Sequence, residues 1–234
     1  MKQIIFLITL TALLYSCHTT GQLANPNNPG YSNSDTLITE SLFNDRASTI
    51  SEENIQKILD GNYKLPQQLR VVIANLENRQ QKIYSRSDEE YLKSRQSWLD
   101  LFSQKFTQSP RVSKLSIIPD LLISKPASFT NIREAAVRMQ ADIVVMYSIT
   151  GDLYSKYKFF TKPDIKAFST TQLIILDVRT GLIPFSTIVT KDFLSQRKKE
   201  ELDNLEAMNR VQNEAVLLTI NEIGQKITSF LNTK

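Results

Sequence analysis

Between Arg70 and Phe230 the pattern of the chain changes once, at Ile143, and that change narrows the fold more than any other feature. Before it, strand-like and helix-like segments take turns. Arg70 to Leu76 (RVVIANL) is a short β-branched run that predicts a first strand. Ser87 and Glu90 follow with capping-box spacing, and Tyr91, Trp98, Leu99, Phe102 and Phe106 recur at helical spacing up to Pro110. Val112 to Ile123, interrupted by Pro119, predicts a second strand or a bulged pair, because proline donates no ladder hydrogen bond. Asn131 and Glu134 are placed to cap a second helix with Ile132, Ala135, Ala136 and Met139 as its apolar stripe, and Asp142 marks the exit into the strand IVVMYSI, which Gly151 bends or extends. After Ile143 the runs LYSKYKFF, IKAFSTTQLIILDV and LIPFSTIVTKDF are separated only by the turn signals TKPD and RTG, the signature of antiparallel neighbours. A long helix from near Glu200 to about Leu231 closes the chain, with Val216, Ile220, Ile223, Ile227 and Phe230 at spacings of three and four. The expected order is β-α-β-α-β-β-β-α: an α/β single domain, residues 67–234, with a mixed sheet packed by helices and a long C-terminal helix.

The other end of the chain constrains location. Lys2 precedes Ile4 to Tyr15, twelve residues without a charge, which as a helix would rise about 18 Å against a hydrocarbon core of about 30 Å. That is the length of a cleaved export signal. The run ends in Leu14-Tyr15-Ser16-Cys17, which resembles a bacterial lipobox. The resemblance implies that residues 1–16 are removed, that the Cys17 thiol receives a diacylglyceryl group and that the new amine takes a further acyl chain such as palmitate. Each buried CH2 of those chains contributes about 0.8 kcal/mol, so three chains anchor stably where one holds marginally. Cys17 is the only cysteine, which excludes an intrachain disulfide, and His18 beside it is the only histidine, without the partners a metal site or catalytic relay needs.

Residues 17–36 comprise the anchor and a tether: His18 to Thr36 is rich in Asn, Pro, Gly and Ser, too polar to fold alone. Such a tether has a root-mean-square span of about 25 Å and a drawn-out limit of about 65 Å, which keeps the domain close to its membrane. No acidic block follows Cys17, so the expected location is an outer membrane, facing the periplasm. Residues 37–66 form an N-terminal extension containing a short helix, with Ser51 as N-cap, Ile55, Ile58 and Leu59 on one face and Gly61 as its stop, a satellite of the domain.

The helix-to-strand stretch EAAVRMQADIVVMYSI and the hairpin LIILDVRTGLIP resemble the family of periplasmic lipoprotein domains that includes the curli-secretion channel CsgG, the peptidoglycan-synthase activator LpoB and the N-terminal domain of TolB. The family's Ala-Asp pair before an apolar strand is matched by Ala141-Asp142, and its Asp-x-x-Thr-Gly turn by Asp177, Thr180 and Gly181. The resemblance spans roughly Arg70 to Phe230 and implies a two- or three-layer α/β sandwich. Where family members often carry glycine in the strand after Ala-Asp, this chain has Tyr147-Ser148.

Chemistry is sparse. There is no G-x-S-x-G, no glycine-rich phosphate loop and no H-E-x-x-H, and six glycines leave little material for nucleotide loops. No catalytic residue, cofactor or metal is expected. Asp142, Asp152, Asp164 and Asp177 each fall at an element end or turn, where Asp caps backbone groups. A net charge of +4 is too slight to imply nucleic acid, and the run from Gln196 to Glu201 is expected to be solvated. The candidate partner-binding surface is YSKYKFF. Strand alternation places Leu153, Tyr157 and Phe159 on one side and Tyr154, Lys156, Lys158 and Phe160 on the other, two aromatics interleaved with two lysines.

The reading that follows is a non-catalytic lipoprotein, monomeric or a small homo-oligomer, that binds an envelope protein near its membrane. Two alternatives stand beside it. One is a ring-forming channel subunit resembling CsgG, with Tyr154 to Leu176 as its hairpin; LYSKYKFF looks short for the 9 to 11 residues a barrel strand needs. The other is an enzyme using a pair of those aspartates in a pocket.

Overall fold

A computed structural model describes residues 55, 58–61, 63–76, 88–124, 126–158 and 161–232. The elements run β1 (Leu69–Asn75), α1 (Asp88–Thr107), β2 (Val112–Ile117), a 3-10 turn (Asp120–Leu122), α2 (Phe129–Arg138), β3 (Ile143–Lys158), β4 (Thr161–Asp177), β5 (Phe185–Gln196) and α3 (Asn204–Asn232). This is the expected order. One five-stranded sheet, β2-β1-β3-β4-β5, is parallel across its first three strands and antiparallel across its last three. The two β-α-β crossovers before Ile143 and the meander after it account for that division.

The sheet buries its two faces differently. On one face Val71, Ile73, Val145, Tyr147, Leu173 and Ile175 pack against Trp98, Phe102 and Phe106 of α1 and Val216, Ile220, Ile223 and Ile227 of α3. Trp98 is the core anchor its spacing predicts, and its indole N–H donates to Asn213 Oδ1 at 2.7 Å. Farther along the sheet, Ile165 and Ala167 pack on Ala207, Val211 and Ala215 of the same long helix. On the other face Val72, Ala74, Val144, Met146 and Leu176 pack on Ile132, Ala135 and Ala136 of α2. The layering is thus helices, sheet, short helix. Because α2 has ten residues and β3, β4 and β5 have 16, 17 and 12, α2 covers only one end of this second face.

The family-like motifs fall at the junctions. Asp142 N donates to Arg70 O at 2.8 Å and Val178 N donates to Asp142 O at 2.9 Å, tying the start of β3 to both neighbouring strands. Asp177 Oδ1 accepts from both Thr180 N and Thr180 Oγ1 at 2.7 Å, and Gly181 sits at φ 75°, a conformation that favours glycine. Tyr147 is fully buried and packs its ring 4.7 Å from that of Phe102.

Several expectations change. The second helix begins at Phe129, not beyond Asn131, because the Ser128 hydroxyl accepts Asn131 N–H and supplies the cap. The second strand ends at Ile117, and Pro119 precedes a 3-10 turn rather than interrupting a ladder. TKPD is not a turn: Thr161 to Asp164 open β4, and the register slips between Lys156 and Lys158, so that Lys162 and Pro163 oppose Tyr157 alone. A bulge absorbs the missing proline N–H. Of the N-terminal extension, Ile55 and residues 58–60 are helical and Gly61 is not, while Ser51 lies outside the described residues. Its attachment is Leu65, against the main core, and Tyr63, whose hydroxyl donates to Asp177 Oδ2 at 3.1 Å; Leu59 stays 73% exposed.

Candidate functional site

The part of the second face that α2 leaves uncovered is built from three strands in fixed register. Successive rows read Lys156–Asp164–Gln196, Tyr154–Lys166–Leu194, Asp152–Phe168–Asp192, Thr150–Thr170–Thr190 and Ser148–Gln172–Ile188. Side chains alternate along a strand, so once Leu153, Ile165, Ala167 and Phe193 pack towards α3, these rows must point the other way.

Tyr154 stands on β3, the outer strand of the three at this level. It is 53% exposed, its ring meets that of Phe168 edge-on at 5.8 Å, and its hydroxyl donates to Asp152 Oδ2 in a short hydrogen bond. That carboxylate raises the Tyr154 pKa, first through the hydrogen bond and then by charge repulsion of the phenolate. Lys166 Nζ lies 4.6 Å over the Phe168 ring and 2.9 Å from Asp192 Oδ2, a cation between an aromatic face and a carboxylate. Asp192 is held below its ordinary value by that lysine. Farther along, Thr170 and Thr190 share a hydroxyl hydrogen bond at 2.9 Å, and Ile188 and Leu194 are exposed on β5. Aromatic and aliphatic groups therefore sit among paired charges on one face of the sheet.

Of the four residues singled out from sequence, Tyr154 and Lys156 are exposed on this face as alternation predicts. Lys158 belongs to β3 by its backbone, paired with Thr161 past the bulge, but its side chain and the whole of Phe160 lie outside the described residues. Cys17, with the signal and tether, also lies outside them. Sequence reasoning missed Asp152, Phe168, Lys166, Asp192, Ile188 and Leu194 as members of the face. Phasing IKAFSTTQ and FSTIVTKDFLSQ by their buried residues would have found the last five.

The four aspartates have protein partners. Asp142 accepts three hydrogen bonds from Arg70, with Arg179 Nη2 3.7 Å away, and the Arg70 hydrogen bonds lower its pKa against the opposing effect of burial. Asp152 also accepts Leu153 N–H at 2.8 Å, and Asp164 accepts Gln196 Nε2 at 2.7 Å. The Asp177 carboxylate close by raises the Tyr63 phenol pKa, burial being the larger cause. Among the described residues no group of three His, Cys, Asp or Glu side chains is placed to hold a metal ion.

The run from Gln196 to Glu201 departs from a simple solvated segment. Lys198, Lys199 and Glu200 are exposed, but Glu201 is buried, accepting Lys198 N–H at 2.5 Å and a short bond from Arg210 Nε. Burial opposes the charge of Glu201, and these bonds outweigh it, so its pKa falls.

The fold defines a mixed α/β sandwich, and the site defines a mixed polar and aromatic sheet face. Neither a family model nor a characterised protein sequence matches the chain. Similar solved structures include a protein described as a neuraminyllactose-binding hemagglutinin homolog from Helicobacter pylori, with 11% identity, a TM-score of 0.45, and coverage of 74% of this chain and 90% of that one. A minor lipoprotein from Acinetobacter baumannii matches with 10% identity, a TM-score of 0.34, and coverage of 71% and 92%. A lipoprotein from Neisseria meningitidis matches with 11% identity, a TM-score of 0.33, and coverage of 67% and 99%. Bacterial lipoproteins are thus among the structural neighbours, at a likeness too slight to carry function across.

Proposed function

We propose that this chain is a non-catalytic lipoprotein, anchored through Cys17 to the outer membrane and facing the periplasm, whose α/β domain binds an envelope protein through the uncovered face of β3, β4 and β5. The observation that carries this reading is the cluster of Tyr154, Phe168 and Leu194 on a sheet face that no helix covers among the described residues, with Lys156, Lys166 and Asp192 around it. Exposed aromatics framed by charge supply the anchor and rim of a protein interface. Among the described residues no helix is long and apolar enough to cross a membrane; in this reading the lipobox-like Cys17 supplies the attachment. The likeness to the CsgG, LpoB and TolB domains belongs to the same proposal, supported by the observed Asp142 junction and the Asp177–Gly181 turn.

The channel alternative gains in one respect and loses in another. β3 and β4 are continuous over 16 and 17 residues, so strand length does not weigh against a membrane hairpin. Composition does, because the outer rows of the hairpin carry Asp152, Lys156, Asp164 and Lys166, where a lipid face needs apolar side chains.

Photo-crosslinking from position 154 in intact cells tests the proposal. A discrete protein adduct, lost when Phe168→Ala or Lys166→Glu is added, is the expected result. An adduct pattern unchanged by either substitution overturns the face as the binding surface. Metabolic labelling with palmitate, abolished by Cys17→Ala, checks the anchor separately.

A further inference from the structure

The outer side of β5 is a long sheet edge without a partner strand among the described residues. Proteins usually guard such edges by shortness, charged side chains, proline, a bulge or inward-pointing charge. The opposite edge is formed by β2, with six residues, and by β3 beyond Tyr147, where Lys156 and the register shift between Lys156 and Lys158 guard it. β5 has twelve, holds no proline, and pairs with β4 from Phe185 to Gln196 without a register shift. Its two charges are engaged within the chain: Asp192 with Lys166 at 2.9 Å, and Lys191 with Glu222 of α3 at 2.5 Å. Among its exposed side chains, which include Ser186, Thr190, Asp192 and Gln196, two are large and aliphatic: Ile188, at 66%, and Leu194, at 62%.

We propose that a second copy of this chain occupies that edge, the two β5 strands pairing antiparallel about a two-fold axis at Lys191 and joining the two sheets into one. The register follows from parity. Directly opposed residues must share a face, so a two-fold axis has to pass through a residue rather than between two. With the axis at Lys191, Ile188 opposes Leu194 of the second copy in both halves, and Thr190 opposes Asp192. Moving it to Thr190 sets Ile188 against Asp192, and moving it to Asp192 sets the two aspartates against each other. Only the Lys191 axis pairs both exposed aliphatic side chains twice over, on the uncovered face. The arrangement brings the two Lys191 residues together, which opposes it; each keeps Glu222, itself bonded to Lys191 and, at 3.1 Å, to Lys226. This self-pairing does not rest on the partner-binding reading: it is built on the free backbone edge of β5, and of the proposed partner-binding surface it shares only Leu194 and Asp192, not Tyr154 or Phe168.

The test uses the full-length acylated chain in mild detergent. Sedimentation should show a concentration-dependent dimer. Ile188→Lys combined with Leu194→Lys, both at exposed positions, should weaken it tenfold or more with an unchanged circular dichroism spectrum, whereas Tyr154→Ala should leave it intact. In a mixture of the single variants Ile188→Cys and Leu194→Cys, a short thiol-to-thiol linker should join the two variants at least tenfold more efficiently than it joins either to itself, and Lys191→Cys should link to its own kind. A chain monomeric at all concentrations, a dimer indifferent to the two lysines, or linking without this register each overturns the proposal. An edge that instead captures an extended segment of another protein gives the first of these results.

Discussion

Asp142 grips Arg70 at three points: its Oδ2 accepts the Arg70 backbone N–H at 2.9 Å and Nε at 3.0 Å, while its Oδ1 accepts Nη2 at 2.9 Å. The aspartate that closes the α2-to-β3 connection therefore clamps the start of β1, two strands that no local sequence links. Replacing it with asparagine removes the charge and at least one of these bonds. Arg70 is partly open to solvent, which screens the pair, so Asp142→Asn should cost about 1–3 kcal/mol of unfolding free energy in denaturant titrations.

The same pair sets an acid dependence. The folded pKa of Asp142 lies below its unfolded value, chiefly because Arg70 bonds to the charged form. Its contribution is fully present above the ordinary aspartate range, about 3.9, and is lost as pH falls through the lower folded value. The stability gap between the native chain and Asp142→Asn should thus be constant from pH 7 to about 5 and narrow below about 4. A gap that widened on acidification would contradict the assignment.

Gln140 ends α2 in a left-handed conformation, φ 57°, with Gln140 N bonded to Val137 O and Ala141 N to Ala136 O, both at 2.9 Å. These are the two bonds of a Schellman cap, whose left-handed residue is usually glycine. Gln140→Gly should relieve the Cβ strain and raise stability by about 0.5–1 kcal/mol, a rise of about 1–4 °C in Tm for a domain of this size. Thermal denaturation of the two chains checks it.

Local signals carried most of the fold, because Asp177, Thr180 and Gly181 define a turn by their own side chains and backbone, and Ile132, Ala135 and Ala136 define a face by spacing. The errors arose where two signals competed. Pro163 reads as a turn in TKPD, yet a bulge against Tyr157 accommodates it inside a strand. Asn131 and Glu134 look like a cap, but Ser128 lies nearer the true start. The site was legible in one strand only. Alternation within β3 exposes Tyr154 and Lys156, whereas the neighbours that make them a surface, Phe168 and Leu194, are set by pairing between strands, which periodicity within a single run does not encode.

Gly151 lies in β3 where the strand turns its backbone towards α3. A Cβ there would collide with the Gln212 side-chain amide and lie 2.8 Å from Phe168 O, the carbonyl to which Gln212 donates at 3.4 Å. Gly151→Ala should therefore destabilise the chain by about 1–3 kcal/mol through overpacking. Gln212→Ala added to it should restore only part of the loss, because the side chain can be removed and the Phe168 backbone cannot. A double-mutant cycle in denaturant measures this; full rescue would mean that Gln212 alone sets the constraint.

Tyr154 and Asp152 share a short hydrogen bond on the β3 side of the candidate interface, and the tyrosine titrates above its ordinary value because losing its proton forfeits that bond and places a phenolate beside a carboxylate. Asp152→Asn keeps a neutral acceptor and removes the repulsion, so the Tyr154 pKa should fall towards about 10. Site-resolved NMR of the ring carbons across alkaline pH reads the shift directly. The geometry also separates two roles for the pair. If Asp152 serves to hold the Tyr154 ring against Phe168 for a protein partner, then Asp152→Asn should leave crosslinking from position 154 nearly unchanged, while Phe168→Ala, which removes the edge-on contact at 5.8 Å, should abolish it with the Tyr154 pKa still raised. Loss of crosslinking in Asp152→Asn alone would instead identify the carboxylate as a contact made by the partner itself.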